Sequence, residues 1–365
     1  MTEQQTLNNF PLVSVVTVSF NCREFLRKCL SSLVRQTYSN VEIIAVDNGS
    51  DEDLETALKV EFPSIKWLRL SSNSGFAGGN NTGILKARGK YVALINNDAQ
   101  ADENWLSCLV AAAEQDDKVG AVASMIIDGN NPAILDSCGV IVALDGMSRQ
   151  AMHGIQSNTA LQKQSVLAFS GCACLIRMSA LEQTGLFDTR FFAYCEDTDL
   201  SLRILRAGWN IITAPEAKVS HSYSKTGGAF SLNKVFWIER NHYWVAIKNF
   251  PLPLLLLLPA VSMWRYIFQV YAALRGIGKI DAFVSTCGVT RLILTLLRSN
   301  LSAIAGLMPA LASRFARQQG YARSSAEMRR LILSLHAPMQ EIFSGNSPKR
   351  SAVTDIANRF SKESL

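Results

Sequence analysis

Four short, mostly apolar runs, each closed by polar residues and separated by helix-like segments, restrict this chain more than any other feature. They are residues 13–20 (VSVVTVSF), 41–46 (VEIIAV), 67–70 (WLRL) and 91–95 (YVALI). Near-continuous runs of this kind suit strands buried on both faces of a parallel sheet. Between them, 24–35 puts Phe25, Leu26, Cys29, Leu30 and Leu33 on one helical side, and 54–62 reads as a second helix. A glycine-dense turn at 73–83 opens a third helix reaching about Arg88. Strand–helix alternation of this kind predicts βαβ units, in which ligands sit outside the carboxyl ends of the strands. Asn21, Asp47 and Asp98 fall at those ends.

Further on, 105–115 reads as a helix and 119–127 as a strand, with irregular hairpins and loops through 158. An apolar stretch, 166–178, has small residues at its middle, Ser170-Gly171-Cys172-Ala173-Cys174. A helix with an acidic start covers 196–207 and stops at Gly208; a strand, 209–214, follows, and His221 is expected in a loop.

At 48% apolar residues, the 365-residue chain has enough material for one large core plus an appendage. The eight cysteines form no CxxC pair and suggest no disulfide or zinc framework, so a reducing compartment is expected. Residues 1–11 are polar, lack the pattern of a secretory leader and read as flexible, as does the tail 344–365. The net charge of +6 is uneven: residues 1–250 carry about −3, whereas 251–330 hold ten Lys/Arg against Asp281 and Glu327. A basic segment this rich in leucine points to an anionic membrane surface and away from nucleic acid. Within it, 250–264 and 266–274 are apolar and separated by Arg265, so neither part alone has the 18–20 residues a spanning helix needs. Basic amphipathic helices lying in the headgroup region are the expectation for 251–343, against the alternatives of a tilted or re-entrant span that includes Arg265 and of helices packed on protein.

Candidate chemistry sits in five places. Asp47 either accepts a hydrogen bond from the imide of a pyrimidine base or helps cap the next helix. The run NSGFAGGNNTG (73–83) lets backbone approach a ligand closely, yet it is neither GxGxxG nor a P-loop, which removes the dinucleotide dehydrogenase reading. Asp98 is a candidate ligand for a hard cation that neutralises a diphosphate, or else a helix-start residue. Glu196, Asp197 and Asp199 supply more acid than helix capping requires, and one of them suits a general base. His221 is a lone imidazole downstream.

In this order, VSVVTVSFN, IIAVDNGSDED, NSGFAGGNNTGILKARGKYVALINND, GLFDTRFFAYCEDTDLSLRILRAGW and His221 resemble glycosyltransferase family 2, over roughly residues 11–250. The branch that the chain resembles contains the bacterial rhamnosyltransferase-like enzymes of O-antigen and cell-wall polysaccharide assembly. The resemblance implies a GT-A type α/β fold over 12–250, a Rossmann-like, mostly parallel sheet flanked by helices, with a membrane-associated helical segment after it. It implies that Phe20 and Asp47 meet the base, that Asn21, Asn73, Gly75, Asn81 and Asn97 line the nucleotide sugar, and that Asp98 and His221 hold Mg2+ or Mn2+. The metal motif here reads Asn96-Asn97-Asp98, without its first acid. Asp197 would be the base, with Glu196 supporting it, and Ser170, Gly171 and Asp199 would lie on the acceptor side. The implied activity is inverting transfer of L-rhamnose from dTDP-rhamnose to a polyprenyl-linked saccharide at the cytoplasmic face of the plasma membrane, by a peripheral or monotopic protein, with an oligomer left open. The alternatives are a UDP-sugar transferase (galactofuranosyl, glucosyl or N-acetylhexosaminyl) and a non-catalytic nucleotide-binding scaffold.

Overall fold

A computed structural model of the chain describes residues 10–222, 231–275, 286–317 and 320–336. Most of the N-terminal stretch, Lys225 and the tail 344–365 lie outside the described residues. The order of elements is β1 (Val13–Ser19), α1 (Arg23–Leu33), β2 (Val41–Asp47), α2 (Leu54–Leu58), β3 (Lys66–Arg69), α3 (Gly75–Ile84), β4 (Tyr91–Ile95), β5 (Ala99–Ala101), α4 (Trp105–Ala113), β6 (Val119–Asp128) and β7 (Leu135–Cys138). There follow β8 (Val140–Val142), β9 (Ser148–Gln150), β10 (Ala173–Arg177), α5 (Met178–Thr184), a 3-10 turn (Thr189–Phe191), α6 (Glu196–Arg206) and β11 (Asn210–His221). Five helices follow among the described residues: α7 (Leu232–Asn249), α8 (Leu252–Leu274), α9 (Val289–Ala305), α10 (Leu307–Ala316) and α11 (Ser325–Leu335).

The main sheet runs β3-β2-β1-β4-β10-β6-β11-β5, with β7 beside β6. Strands β3, β2, β1 and β4 are parallel, as the buried runs predict. Their period of two divides the side chains between two cores. Val16, Ile44, Val46, Val92 and Leu94 enter one core, with Trp244, Phe250, Leu254 and Ile332 from the C-terminal helices. Val13, Val15, Ile43, Ala45, Tyr91 and Ala93 enter the other, against Leu26, Leu30 and Trp105. A strand covered on both faces needs apolar side chains at every position, which is why these runs do not alternate.

Three features depart from the sequence reading. The glycine-dense segment is itself helix α3 and not a turn ahead of one. Its glycines provide proximity: a Cβ on Gly83 would come within 2.3 Å of Val16 Cγ1, and one on Gly79 within 2.5 Å of Val18 Cγ1, so α3 lies directly on β1. Strand β10 runs antiparallel to both its neighbours, β4 and β6, inside an otherwise mostly parallel sheet. Strand β11 continues past Ala214 through a register shift to His221, so the histidine ends a strand and does not sit in a loop.

The two apolar stretches around Arg265 form the single helix α8, with Pro259 inside it. Arg265 is fully buried and turned toward residues that precede α8 in the chain. Its Nε donates to Asp145 Oδ2 at 2.7 Å, from the turn joining β8 and β9, and its two terminal nitrogens donate to Glu239 of α7 at 2.9 and 3.0 Å. A guanidinium fork matches a carboxylate in this way where an ammonium does not. Removing it leaves two buried carboxylates without a counter-charge. Arg265→Ala is therefore expected to lower the unfolding free energy by about 3–5 kcal/mol in a denaturant titration; a loss below about 1 kcal/mol would contradict this view of the helix.

Candidate functional site

The carboxyl ends of the parallel strands carry the polar residues, and side-chain amides lace those ends together. Asn97 Nδ2 at the tip of β4 donates to Ser19 Oγ at the tip of β1 (2.9 Å). Asn48, next to Asp47, accepts from the Ser74 backbone N–H (3.0 Å) and donates to Asn73 Oδ1 (3.2 Å) and the Gly75 carbonyl (3.1 Å). Asn73 Oδ1 also accepts from the Gly75 N–H. Gly75 has φ +73°, a left-handed value that glycine adopts without penalty. Any Cβ there would lie 2.4 Å from the Phe192 carbonyl oxygen. Asn21 also has a positive φ, of 53°, and exchanges hydrogen bonds with Asp51. Phe20 is half-buried beside it.

Asp47 is almost wholly buried. One oxygen accepts from the Ser50 N–H (2.9 Å), and the other faces the Leu54 N–H at 3.5 Å and Arg69 at 3.6 Å. These interactions fix the loop that leads into α2, whose own N-cap is Asp53, the acceptor of the Thr56 N–H. Asn81 exchanges two hydrogen bonds with the Phe187 backbone, at 2.8 and 3.0 Å, which ties α3 to the segment before α6.

Strand pairing brings Asp98 and His221 together from distant parts of the sequence. His221 at the end of β11 stands opposite Ala99, and its Nε2 lies 3.2 Å from Asp98 Oδ1. Its Nδ1 lies 3.1 Å from Asp136 Oδ2 on β7. Hydrogen bonds from His221 and His153 hold Asp136 down at about 2, against the desolvation that burial imposes. The same carboxylates and the Cys172 thiol raise the His221 imidazole well above its ordinary value although burial opposes it. An imidazole whose Nδ1 is oriented by a carboxylate presents Nε2 in the manner of a metal ligand. The donor set fits a divalent cation between Asp98 and His221, where the cation would replace the Nε2 proton. Among the described residues no three His, Cys, Asp or Glu side chains converge on one point. The rest of such a shell would come from water and phosphate oxygens, as hard cations accept.

The acids at the start of α6 have three different fates. Asp197 is half-buried; its Oδ2 accepts from the Gly171 N–H (3.0 Å) and its Oδ1 from the Thr198 N–H (2.7 Å). Burial raises this carboxyl above its ordinary value, and the two amides oppose the rise. Glu196 is buried, its Oε2 has no hydrogen-bond partner among the described residues, and burial beside the Asp197 charge raises it well above the ordinary range, which favours the neutral acid. Asp199 departs from the sequence expectation of an acceptor-side residue. It is fully buried and bonded to Arg203 (2.9 Å), Lys248 (2.9 Å) and Asn249 (2.8 Å), so it serves the packing of α6 on α7. Helical spacing explains this, since residue 199 lies on a different face of α6 from residue 197.

The segment Ser170–Cys172 joins the two halves. The Cys172 carbonyl accepts from the Asn96 N–H (2.8 Å) at the tip of β4, while the neighbouring Gly171 N–H holds Asp197. Gly171 is tightly enclosed, since a Cβ there would meet the Phe76 ring at 2.7 Å.

Ahead of α6 the backbone is strained. Phe192 (φ 64°, ψ −63°) forms a γ-turn closed by the Ala193 N–H on the Phe191 carbonyl (2.8 Å), and Tyr194 and Cys195 both have φ of 68°. Such conformations in non-glycine residues cost roughly 1–3 kcal/mol each and persist only where the surroundings enforce them. Sequence reading missed Asp136, because it lies in a stretch without clear periodicity, and it missed the kinked turn, because no glycine marks it.

Residues 14–185 match the family model described as glycosyl transferase family 2. The chain is 26% identical over 243 residues to an N-acetylglucosaminyl-diphospho-decaprenol L-rhamnosyltransferase of Mycobacterium tuberculosis, covering 60% of this chain and 78% of that protein. Its fold is similar to that of GalNAc-T7, solved with UDP, GalNAc and Mn2+ (TM-score 0.53, 18% identity, 66% of this chain and 51% of that one). It is similar also to that of the mannosyltransferase PcManGT from Pyrobaculum calidifontis, solved with GDP-Man and Mn2+ (TM-score 0.51, 18% identity, 82% and 87%). The mixed sheet with helices on both faces is thus of the GT-A type, and residues 14–185 are similar to glycosyltransferase family 2.

Proposed function

We propose that the chain is a metal-dependent, inverting glycosyltransferase that moves L-rhamnose from dTDP-rhamnose to a polyprenyl-linked saccharide at the cytoplasmic membrane surface. The observation that carries the reading is the arrangement around Ser170–Cys172, which has the amide-held Asp197 carboxylate on one side and the tip of β4, leading to Asp98 and His221, on the other. The rhamnosyl donor and the lipid-linked acceptor rest on the similarity to the mycobacterial enzyme.

Asp197 takes the proton of the acceptor hydroxyl as that oxygen bonds to the anomeric carbon. On the opposite face the bond from that carbon to the diphosphate breaks, the nucleoside diphosphate departs, and the configuration inverts. The Gly171 and Thr198 amides aim the carboxylate, and neutral Glu196 adds no second charge beside it. Asp98 and His221, the latter oriented by Asp136, would hold Mg2+ or Mn2+, which supplies positive charge to the departing diphosphate. Asn73, Gly75 and Asn97 shape the wall along which the nucleotide sugar lies, with Phe20, Asn21 and Asp47 at its base end.

The membrane part of the reading rests on the surface. Among the described residues, four large exposed hydrophobic side chains precede Pro251 and eighteen follow it. The 20-residue stretch Leu252–Tyr271 is long and apolar enough to cross a membrane, and α9 with α10 forms a pair bent by 44°. Arg291 and Arg298 are exposed on α9 among these apolar residues. With Arg265 turned inward, this face suits burial to the depth of the headgroups and upper chains.

Four outcomes are expected. Asp197→Asn keeps its donor-induced thermal shift while kcat falls on the order of 10²–10⁴-fold, and full turnover would remove Asp197 from the role. Because burial raises its pKa, Asp197 ionises only at higher pH than an ordinary aspartate; the acid limb of the kcat profile should therefore lie above about 3.9. In a thermal-shift panel of dTDP-, UDP- and GDP-sugars with and without Mn2+, dTDP-rhamnose should stabilise the protein only with metal; stabilisation by a UDP-sugar instead would make it a UDP-dependent family member. Washing membranes with high salt and then alkali should leave protein bound after salt, whereas complete release by salt alone would rule out insertion.

A further inference from the structure

The strained turn that precedes the catalytic helix has an identifiable cause on another element. Five non-glycine residues have a positive φ among the described residues, and three of them, Phe192, Tyr194 and Cys195, fall within four positions of each other, immediately before Glu196-Asp197. Their backbone angles turn the carbonyls of Phe191, Ala193 and Tyr194 toward one point. At that point lies the side-chain amide of Asn241 on α7, which is fully buried. Its Nδ2 donates to the Phe191 carbonyl at 3.1 Å, Ala193 at 3.0 Å and Tyr194 at 2.7 Å. Two N–H groups thus serve three acceptors, an arrangement that only this backbone shape makes available. The rest of Asn241 is fixed as well: its Oδ1 accepts from Arg240 Nε at 2.8 Å, and an Arg240 terminal nitrogen donates to the Arg190 and Phe191 carbonyls. The carbonyl of Phe192 points the other way and accepts from the Ala77 N–H of α3, with Gly75 against its ring. The turn therefore touches the nucleotide-side helix on one side and delivers Asp197 on the other.

We infer that Asn241 is a positioning residue for sugar transfer: by gathering three carbonyls it holds the 191–195 turn in the shape that sets Asp197 against the Gly171 amide and seats Phe192 on α3. The inference rests on Asp197 being the base. Neither a hydrophobic side chain nor a carboxylate does the same work, because the first cannot donate and the second repels the carbonyls. Loss of Asn241 relaxes the γ-turn, and the first turn of α6 shifts with it. Displacements of about 1 Å at a reacting group cost on the order of 10²-fold in rate.

The test compares wild type, Asn241→Ala and Asn241→Asp in the full-length protein. Hydrogen exchange of the 191–197 amides should accelerate by roughly tenfold or more in both variants while the strands of the main sheet remain protected. With the nucleotide sugar selected by the thermal-shift panel, kcat should fall about 10²-fold while the donor KM stays within about threefold, the signature of a group needed after binding. Unchanged exchange at 191–197, faster exchange with kcat intact, or global unfolding of both variants would each overturn the assignment. If wild type transfers no sugar while the exchange result holds, the functional reading fails, and with it the link to Asp197, but Asn241's hold on the turn stands.

Discussion

The reversed strand β10 is the constraint on which the rest of this molecule depends. It runs antiparallel between β4 and β6, so its N-terminal approach, Ser170–Cys172, arrives at the same edge of the sheet as the carboxyl ends of β1, β2 and β4. A strand laid in the parallel sense would bring its C-terminal end there instead. Because of that reversal a backbone N–H of Gly171 meets the α6 carboxylate, and a backbone carbonyl of Cys172 meets the tip of β4. Both contacts use main-chain groups, so the geometry follows from strand pairing more than from side-chain rotamers. The tight space around Gly171 is the corollary.

Two ionic clusters flank α7, and both are buried. One joins Asp199, Arg203 and Lys248, with Asp188 2.7 Å from the same lysine. The other joins Arg265, Asp145 and Glu239. Buried ion pairs seldom add much net stability, because desolvation consumes most of the attraction, but removing one partner of such a pair is costly. Helix α7 carries a member of each cluster and, between them in sequence, Asn241. Apolar contacts alone would permit that helix to settle in several registers, whereas hydrogen-bonded charges leave one. The helix that braces the strained turn is thereby itself braced.

Much of this was legible in the sequence. The buried strands at 13–20, 41–46 and 91–95 announced themselves because burial on both faces requires unbroken apolar character. Asp98 stood out in the sequence because it follows such a strand closely. Residues whose placement depends on long-range pairing stood out less. His221 was expected in a loop because a register shift after Ala214 conceals the rest of β11. Asp199 looked like one more acid in a cluster, since the composition of a helix start says nothing about which face each residue presents. The glycines of α3 suggested close approach to a ligand, whereas Gly79 and Gly83 are used for proximity to β1. The kinked turn at 192–195 left no trace, because nothing in phenylalanine, tyrosine or cysteine signals a left-handed backbone. Its cause, Asn241, lies on another helix.

Arg265 has a consequence for how α8 meets whatever lies outside. A helix held only by leucines can roll about its own axis at little expense, since each new face resembles the last. A guanidinium with bonds to two carboxylates removes that freedom, and Arg265 is fully enclosed. Met263, Trp264, Ile267 and Val270 are therefore kept permanently outboard, like the keel of a hull, and the direction in which this apolar row faces relative to α7 and the β8–β9 turn is set by the protein itself.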